Sequence, residues 1–380
     1  MTSPLEARVR GRLSAIQNAG LERHLRNPAG IDLSSNDYLG LASDAHVRTR
    51  MAQGAEREGC GSTGSRLLRG QRKAFTNLEK RFADFKRTEG ALYFGSGYAA
   101  NLAVLSAFPE GGDTVFSDQL NHASLIDGIR LSRAQRVIFP HTDACALRQS
   151  IRTTTTAGQR FLVTESVFSM DGDFAPLNEY AQICRESGTA LIVDEAHAVG
   201  IYGTRGSGMV EAAGITGGVF LSINPAGKAL GVGGAFVAGP AWAIDYIIQC
   251  ARPFIFSTAP PPSMAYALDA ALDLVESEPQ RRNRVHDLAV LLRGLLTEIG
   301  ISASPDGSQV IPVHLGDNTR ATSIAVELQS AGFDVRAIRP PTVPQGTARL
   351  RISVNSELRE PDLRHFVHSL AAAMRKYSEP

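Results

Sequence analysis

Between Gly90 and Pro260 seven short apolar runs recur, at 91–94, 114–117, 136–139, 161–165, 190–194, 218–223 and 235–238, with helix-like patterns between them. This alternation constrains the fold more than any other feature. Runs of four to six residues that are apolar on both faces suit strands covered by helices on two sides, and their alternation with helices predicts a mainly parallel, seven-stranded α/β sheet. A chain of 380 residues with 43% hydrophobic content can bury a core of that size and a second, smaller one.

After Pro260, Pro261 and Pro262 the texture changes. A long helical stretch leads to strand candidates at 310–314 and 349–354 and helix candidates near 319–331 and 359–376, which predicts a small C-terminal α+β domain. The expected division is an N-terminal arm and short segment over 1–44, a large domain over 45–262 and a small domain over 263–380. Residues 4–25 place Leu5, Val9, Leu13, Ile16 and Leu21 near helical spacing, an amphipathic helix able to clamp onto another subunit or onto its own body.

Charge excludes several function classes. Thirty-nine basic against 38 acidic residues give a net charge of +1, so no global field draws the chain to nucleic acid or to an anionic membrane. Small molecules or protein are the expected partners. Cys60, Cys145, Cys184 and Cys250 are far apart and form no CxxC pair, suggesting neither a metal site nor a disulfide framework. The N-terminal stretch is charged throughout and lacks the apolar run of a signal peptide or membrane span, so a cytoplasmic location is expected.

Ligands of open parallel sheets gather at the carboxyl ends of the strands, and those ends carry the chemistry here. The run 91–94 ends in a glycine turn, Gly95 to Asn101, opening a helix whose free backbone N–H groups can hold a phosphate. Asp194 ends the run 190–194, and a carboxylate at the tip of a buried strand needs a cationic partner, such as a protonated pyridine nitrogen. No GxxxxGK[ST] loop accompanies it, which argues against an ATPase. Lys228 sits in a glycine-rich loop, 224–234, between two apolar runs; burial would lower its pKa toward the free amine that imine formation and proton abstraction both need. His122 and Ser169 follow two further strand ends, the first able to stack on a flat heteroaromatic ring and the second able to donate to a phenolate oxygen.

The order glycine turn, NHASL (121–125), SVFSMDGD (166–173), VDEAH (193–197), GKALG (227–231) resembles the fold-type I pyridoxal 5′-phosphate (PLP) enzymes, and within them the α-oxoamine synthase family, from about Ile31 to the C-terminus. That resemblance implies an aspartate aminotransferase-like fold and a decarboxylative condensation of an amino acid with an acyl thioester. It makes Lys228 the lysine that holds PLP as a Schiff base, Asp194 the partner of the pyridine nitrogen and His122 the stacking imidazole. His197 and Ser169 would serve the phenolate oxygen, and Gly97 and Tyr98 the phosphate. Arg351 corresponds to the arginine that grips the amino-acid carboxylate, Asn36 lines the same pocket, and Ser257 or Thr258 resembles a phosphate contact delivered by the second subunit of a homodimer with shared sites.

The segment 337–344, with Arg339 and Thr342 as substrate-side residues, is most similar to the branch that joins L-alanine to a pimeloyl thioester on coenzyme A or acyl carrier protein. A branch using glycine with acetyl-CoA or succinyl-CoA, and a PLP-binding paralogue without catalysis, stay open as alternatives. One departure stands out. The family usually has a hydroxyl residue three positions before the lysine, against the phosphate, and this chain has Pro225; Ser222 or Asn224 is the expected compensation.

Overall fold

The computed structural model describes residues 3–377. They form two compact units, one comprising Asn36–Ser169 and Asp173–Arg284, the other comprising the chain up to Ser35, Met170–Gly172 and the chain from Val285.

The larger unit is built on seven strands: β1 (Gly90–Phe94), β2 (Thr114–Asp118), β3 (Gln135–Phe139), β4 (Arg160–Glu165), β5 (Ala190–Asp194), β6 (Leu221–Pro225) and β7 (Ala235–Gly239). Their spatial order is β1-β7-β6-β5-β4-β2-β3. Only β7 runs antiparallel to its neighbours, so the sheet is mainly parallel, as the apolar runs predicted. Alternate residues feed two separate cores. Val115, Val163, Ile192 and Ile223 join one with the helix Gly97–Ala107, while Phe116, Leu162, Leu191 and Val193 join the other with the helix Leu177–Ser187. Burial on both faces explains why these strands read as unbroken apolar runs rather than alternating ones.

The smaller unit has an antiparallel three-stranded sheet in the order Ala337–Ile338, Ala348–Ser353, Val310–Gly316, with the helices Asn318–Ser330 and Glu360–Lys376. A short parallel pair joins Ile31–Asp32 to Phe333–Asp334, which ties the segment before Ser35 into this unit. Gly172 explains why Met170–Gly172 belongs here as well. Its φ is +68°, and an added Cβ would lie 2.0 Å from the Val310 carbonyl oxygen, so only glycine allows the approach.

The division of the chain therefore differs from the expected one. Residues 263–284 fall in the larger unit because the helix Ser263–Ser277 packs on Ala45–Glu58, with Arg50 paired to Asp269 at 3.4 Å and the Tyr266 hydroxyl 3.3 Å from Glu58. Residues 36–44 join it too, whereas 3–35 belong to the smaller unit. The N-terminal helix is also shorter than expected, Pro4–Asn18, and none of its residues is buried. Leu5 and Leu13 are each 59% exposed, so its apolar stripe is left uncovered among the described residues. No helix among the described residues is long and apolar enough to cross a membrane.

Candidate active site

A cavity of roughly 380 Å³ opens at the carboxyl ends of the strands of the larger unit. The glycine turn, His122, Glu165, Asp194, His197, Pro225 and Lys228 all line it. Five predicted strand ends thus converge on one space, because parallel strands of similar length finish at the same edge of the sheet.

Asp194 is 3% exposed on the cavity floor. One carboxylate oxygen accepts the Ala196 N–H at 2.8 Å and the other accepts Asn101 Nδ2 at 2.8 Å. Both donors are neutral, so the buried charge is hydrogen-bonded by them without being neutralised by them. Next to it in the register stands Glu165. Its carboxyl accepts the backbone N–H of His122 at 2.7 Å and that of Ser169. Burial first, and then the Asp194 charge, push the Glu165 carboxyl up to about 8 despite those donors and Lys228.

His122 caps the helix Ala123–Ser132, its Nδ1 accepting the Ser124 N–H at 3.2 Å and lying 2.7 Å from Ser124 Oγ. His197 is buried, with Nδ1 2.6 Å from the Tyr38 hydroxyl, which in turn donates to Asn36 Oδ1 at 3.0 Å. Asn36 and His197 are therefore joined through a tyrosine that the motifs did not single out. Lys228 is half-buried in the loop between β6 and β7.

At the other end of the cavity Ser96 caps the helix Gly97–Ala107 through its own Oγ, which accepts the Ala99 N–H at 3.1 Å. Gly97 is required by packing: a Cβ there would lie 2.7 Å from Pro225 Cγ. Tyr98 turns its hydroxyl to Asp127. Ser222 and Asn224, the residues expected to compensate for the missing hydroxyl at Pro225, meet each other. Asn224 is fully buried and its Nδ2 donates to Ser222 Oγ at 3.0 Å, and neither residue lines the cavity, since strand alternation turns both into the sheet's interior.

The remaining predicted residues are not among those lining this cavity. Ser169 supplies its backbone N–H to Glu165; Ser257 and Thr258 are exposed beside Phe256, itself 71% exposed. Arg351, Arg339 and Thr342 lie in the smaller unit. Arg351 is 7% exposed and donates to Ser353 Oγ at 2.7 Å. Arg339 donates to the carbonyls of Gly20 and Glu22, and with Thr342 it lines a separate cavity of that unit. The reading of the sequence missed Asn101, Ser124 and Tyr38 as site residues. A polar Asn101 among apolar neighbours, one turn after Gly97, was the available signal.

Residues 28–370 match the family described as aminotransferase class I and II. The chain belongs to that family. Among its curated relatives is the 8-amino-7-oxononanoate synthase of Anaeromyxobacter sp. (strain K), 45% identical over 345 residues, which are 90% of this chain and 86% of that one. The 8-amino-7-oxononanoate synthase of Geobacter sulfurreducens is 41% identical over 378 residues, 96% of this chain and 97% of the relative. Two solved structures of similar fold are a serine palmitoyltransferase from S. paucimobilis with a bound PLP–myriocin aldimine (TM-score 0.92, 27% identity, 99% of each chain) and the 8-amino-7-oxononanoate synthase of Francisella tularensis (TM-score 0.80, 29% identity, 91% of this chain and 98% of that one).

Proposed function

We propose that this chain is the PLP-dependent acyltransferase of biotin synthesis that condenses L-alanine with a pimeloyl thioester, on coenzyme A or acyl carrier protein, giving 8-amino-7-oxononanoate, carbon dioxide and the free thiol carrier. The observation that carries the reading is the convergence of Lys228, Asp194 and His122, from three separate strand ends, on one cavity. Full-length similarity to 8-amino-7-oxononanoate synthases supports the choice of reaction.

The residues present fit the cofactor. Asp194 is a buried carboxylate whose two hydrogen bonds come from neutral donors, the environment that a protonated pyridine nitrogen would complete. Asp194 would hold the ring proton, His122 would lie against the ring, and the first-turn N–H groups of Gly97 and Tyr98 would receive the phosphate. Ser169 and His197 are assigned to the phenolate side on the strength of their motifs. Bound PLP supplies an electron sink for the carbanions formed on loss of a proton and of carbon dioxide.

Lys228 Nζ would hold the cofactor covalently and, once alanine has displaced it, take the Cα proton. Asp194 keeps its charge close to the ring, and the apolar walls of β5 and β6 behind it exclude water. Arg351, Arg339 and Thr342 are assigned to the substrate by sequence motif alone, Arg351 through bidentate grip of a carboxylate. A homodimer with shared sites would bring Ser257 and Thr258 to a neighbour's phosphate, a role that suits their exposure beside Phe256. A cytoplasmic location is part of the same reading.

Incubation of the protein with PLP, L-alanine and pimeloyl-CoA, followed by mass spectrometry, tests it. The expected product is 8-amino-7-oxononanoate. Product only from glycine with acetyl-CoA would move the chain to another branch of the family, and PLP binding without any product would make it a silent paralogue.

A further inference from the structure

Between Asp194 and His122 runs a chain of side-chain hydrogen bonds through two residues to which no role has yet been given. Asn101 Nδ2 donates one hydrogen to Asp194 Oδ2 at 2.8 Å and the other to Ser124 Oγ at 2.8 Å. Ser124 Oγ lies 2.7 Å from His122 Nδ1.

Proton counting gives this chain a direction. Asn101 is 2% exposed, and its Oδ1 is buried without a hydrogen-bond partner. Turning the amide over would set that oxygen against the Asp194 carboxylate in a buried setting, so Nδ2 must face Asp194 and Ser124. Ser124 Oγ therefore accepts from Asn101 and has one proton to give. Its neighbour at 2.7 Å is His122 Nδ1, which already accepts the backbone N–H of Ser124 as the cap of its helix. A hydrogen on Nδ1 would meet that N–H donor to donor and would strand the hydroxyl proton of Ser124, a residue only 1% exposed.

We infer that Asn101 and Ser124 are positioning residues that lock His122 as the neutral tautomer with its proton on Nε2. The inference rests on the proposed reaction only for its consequence: His122 offers the cavity a fixed N–H donor and no base, which leaves proton removal to Lys228. The groups facing the ring agree. Burial lowers the His122 pKa, Asp194 raises it and Lys228 lowers it again, with a net shift below the ordinary value; Glu165 accepts the residue's backbone N–H. A His122 in this setting does not gain a proton near neutrality.

The test is a two-bond proton–nitrogen correlation spectrum of protein labelled with nitrogen-15 at histidine, with and without PLP, between about pH 5.5 and 8.5. His122→Gln assigns the signals by their loss. The expected spectrum shows His122 Nε2 protonated and Nδ1 bare throughout the neutral range. In Ser124→Ala the Nδ1 loses its hydroxyl partner, and the signals should shift toward a mixture of tautomers with a midpoint nearer about 6.5. An Nδ1-protonated ring or an imidazolium at pH 7 in the parent protein overturns the inference, as does an unchanged spectrum in a folded Ser124→Ala. Should that variant fail to fold, the parent spectrum decides alone. The tautomer is read without turnover, so an absence of condensation product would sink the proposed reaction and leave this measurement standing.

Discussion

Glu165 and Asp194 are register partners at the last positions of the adjacent parallel strands β4 and β5. Both side chains line the same cavity, both are buried, and one of the two answers the crowding by holding its proton. Two carboxylates so placed cannot both be charged cheaply.

The Glu165 carboxyl, at about 8 in the fold against 4.5 for the free group, binds its proton more tightly folded than unfolded. Its contribution to stability is thus fully present below about pH 4.5 and lost as pH rises through about 8. In the cofactor-free protein Glu165→Gln should remove that loss, so urea midpoints at pH 6 and pH 8.5 should lie closer together in the variant than in the parent. Equal pH dependence of the two proteins would refute the assignment.

His141 works in the opposite chemical sense. Its Nδ1 and Nε2 lie 2.9 Å from Asp118 and 2.8 Å from Asp173, and although burial disfavours the charge, these two carboxylates push the imidazole up to about 10. Asp118 also accepts the N–H groups of Leu120 and Thr142, so the imidazolium fastens the loop leading to His122. The folded pKa exceeds the free value of 6.5, so this stability is complete below about pH 6.5 and fades toward about pH 10. His141→Gln should cost about 2 kcal/mol at pH 6 and far less near pH 10, by urea unfolding.

Lys86 forms an ion pair with Glu195, the residue after Asp194, their side chains only 2% and 0% exposed. Removing the cation strands a buried carboxylate, so Lys86→Met should cost about 3–5 kcal/mol. The double variant Lys86→Met with Glu195→Gln should recover part of that loss in thermal unfolding. A Lys86→Met protein as stable as its parent would show that the pair carries no such weight.

Lys228→Ala should lower turnover to background while leaving the fold intact, since the half-buried lysine lies in a loop at the cavity wall rather than in a core. Borohydride treatment followed by peptide mapping should fix PLP on Lys228 in the parent and nowhere in the variant. Normal product release by the variant would exclude the proposed role of this lysine.

Much of this was legible in the sequence because the signals are local. Apolar runs of strand length disclosed all seven strands of the larger sheet, and residues just beyond a run must lie at its carboxyl edge, so Lys228, Asp194, His122 and His197 could be marked before their distances were known. Which strands become neighbours is decided only when crossovers pack. That choice set Glu165 beside Asp194 and brought Asn101 against a carboxylate 93 positions away. Asn224 and Ser222, expected to compensate for Pro225, meet each other along one strand and do not line the cavity. The sequence by itself determined the periodicity of the elements and the chemistry at their ends, because both depend on residues near one another in the chain. Only the tertiary structure decided the partners of each buried polar group, because a hydrogen bond made in the interior answers to what folding places opposite it.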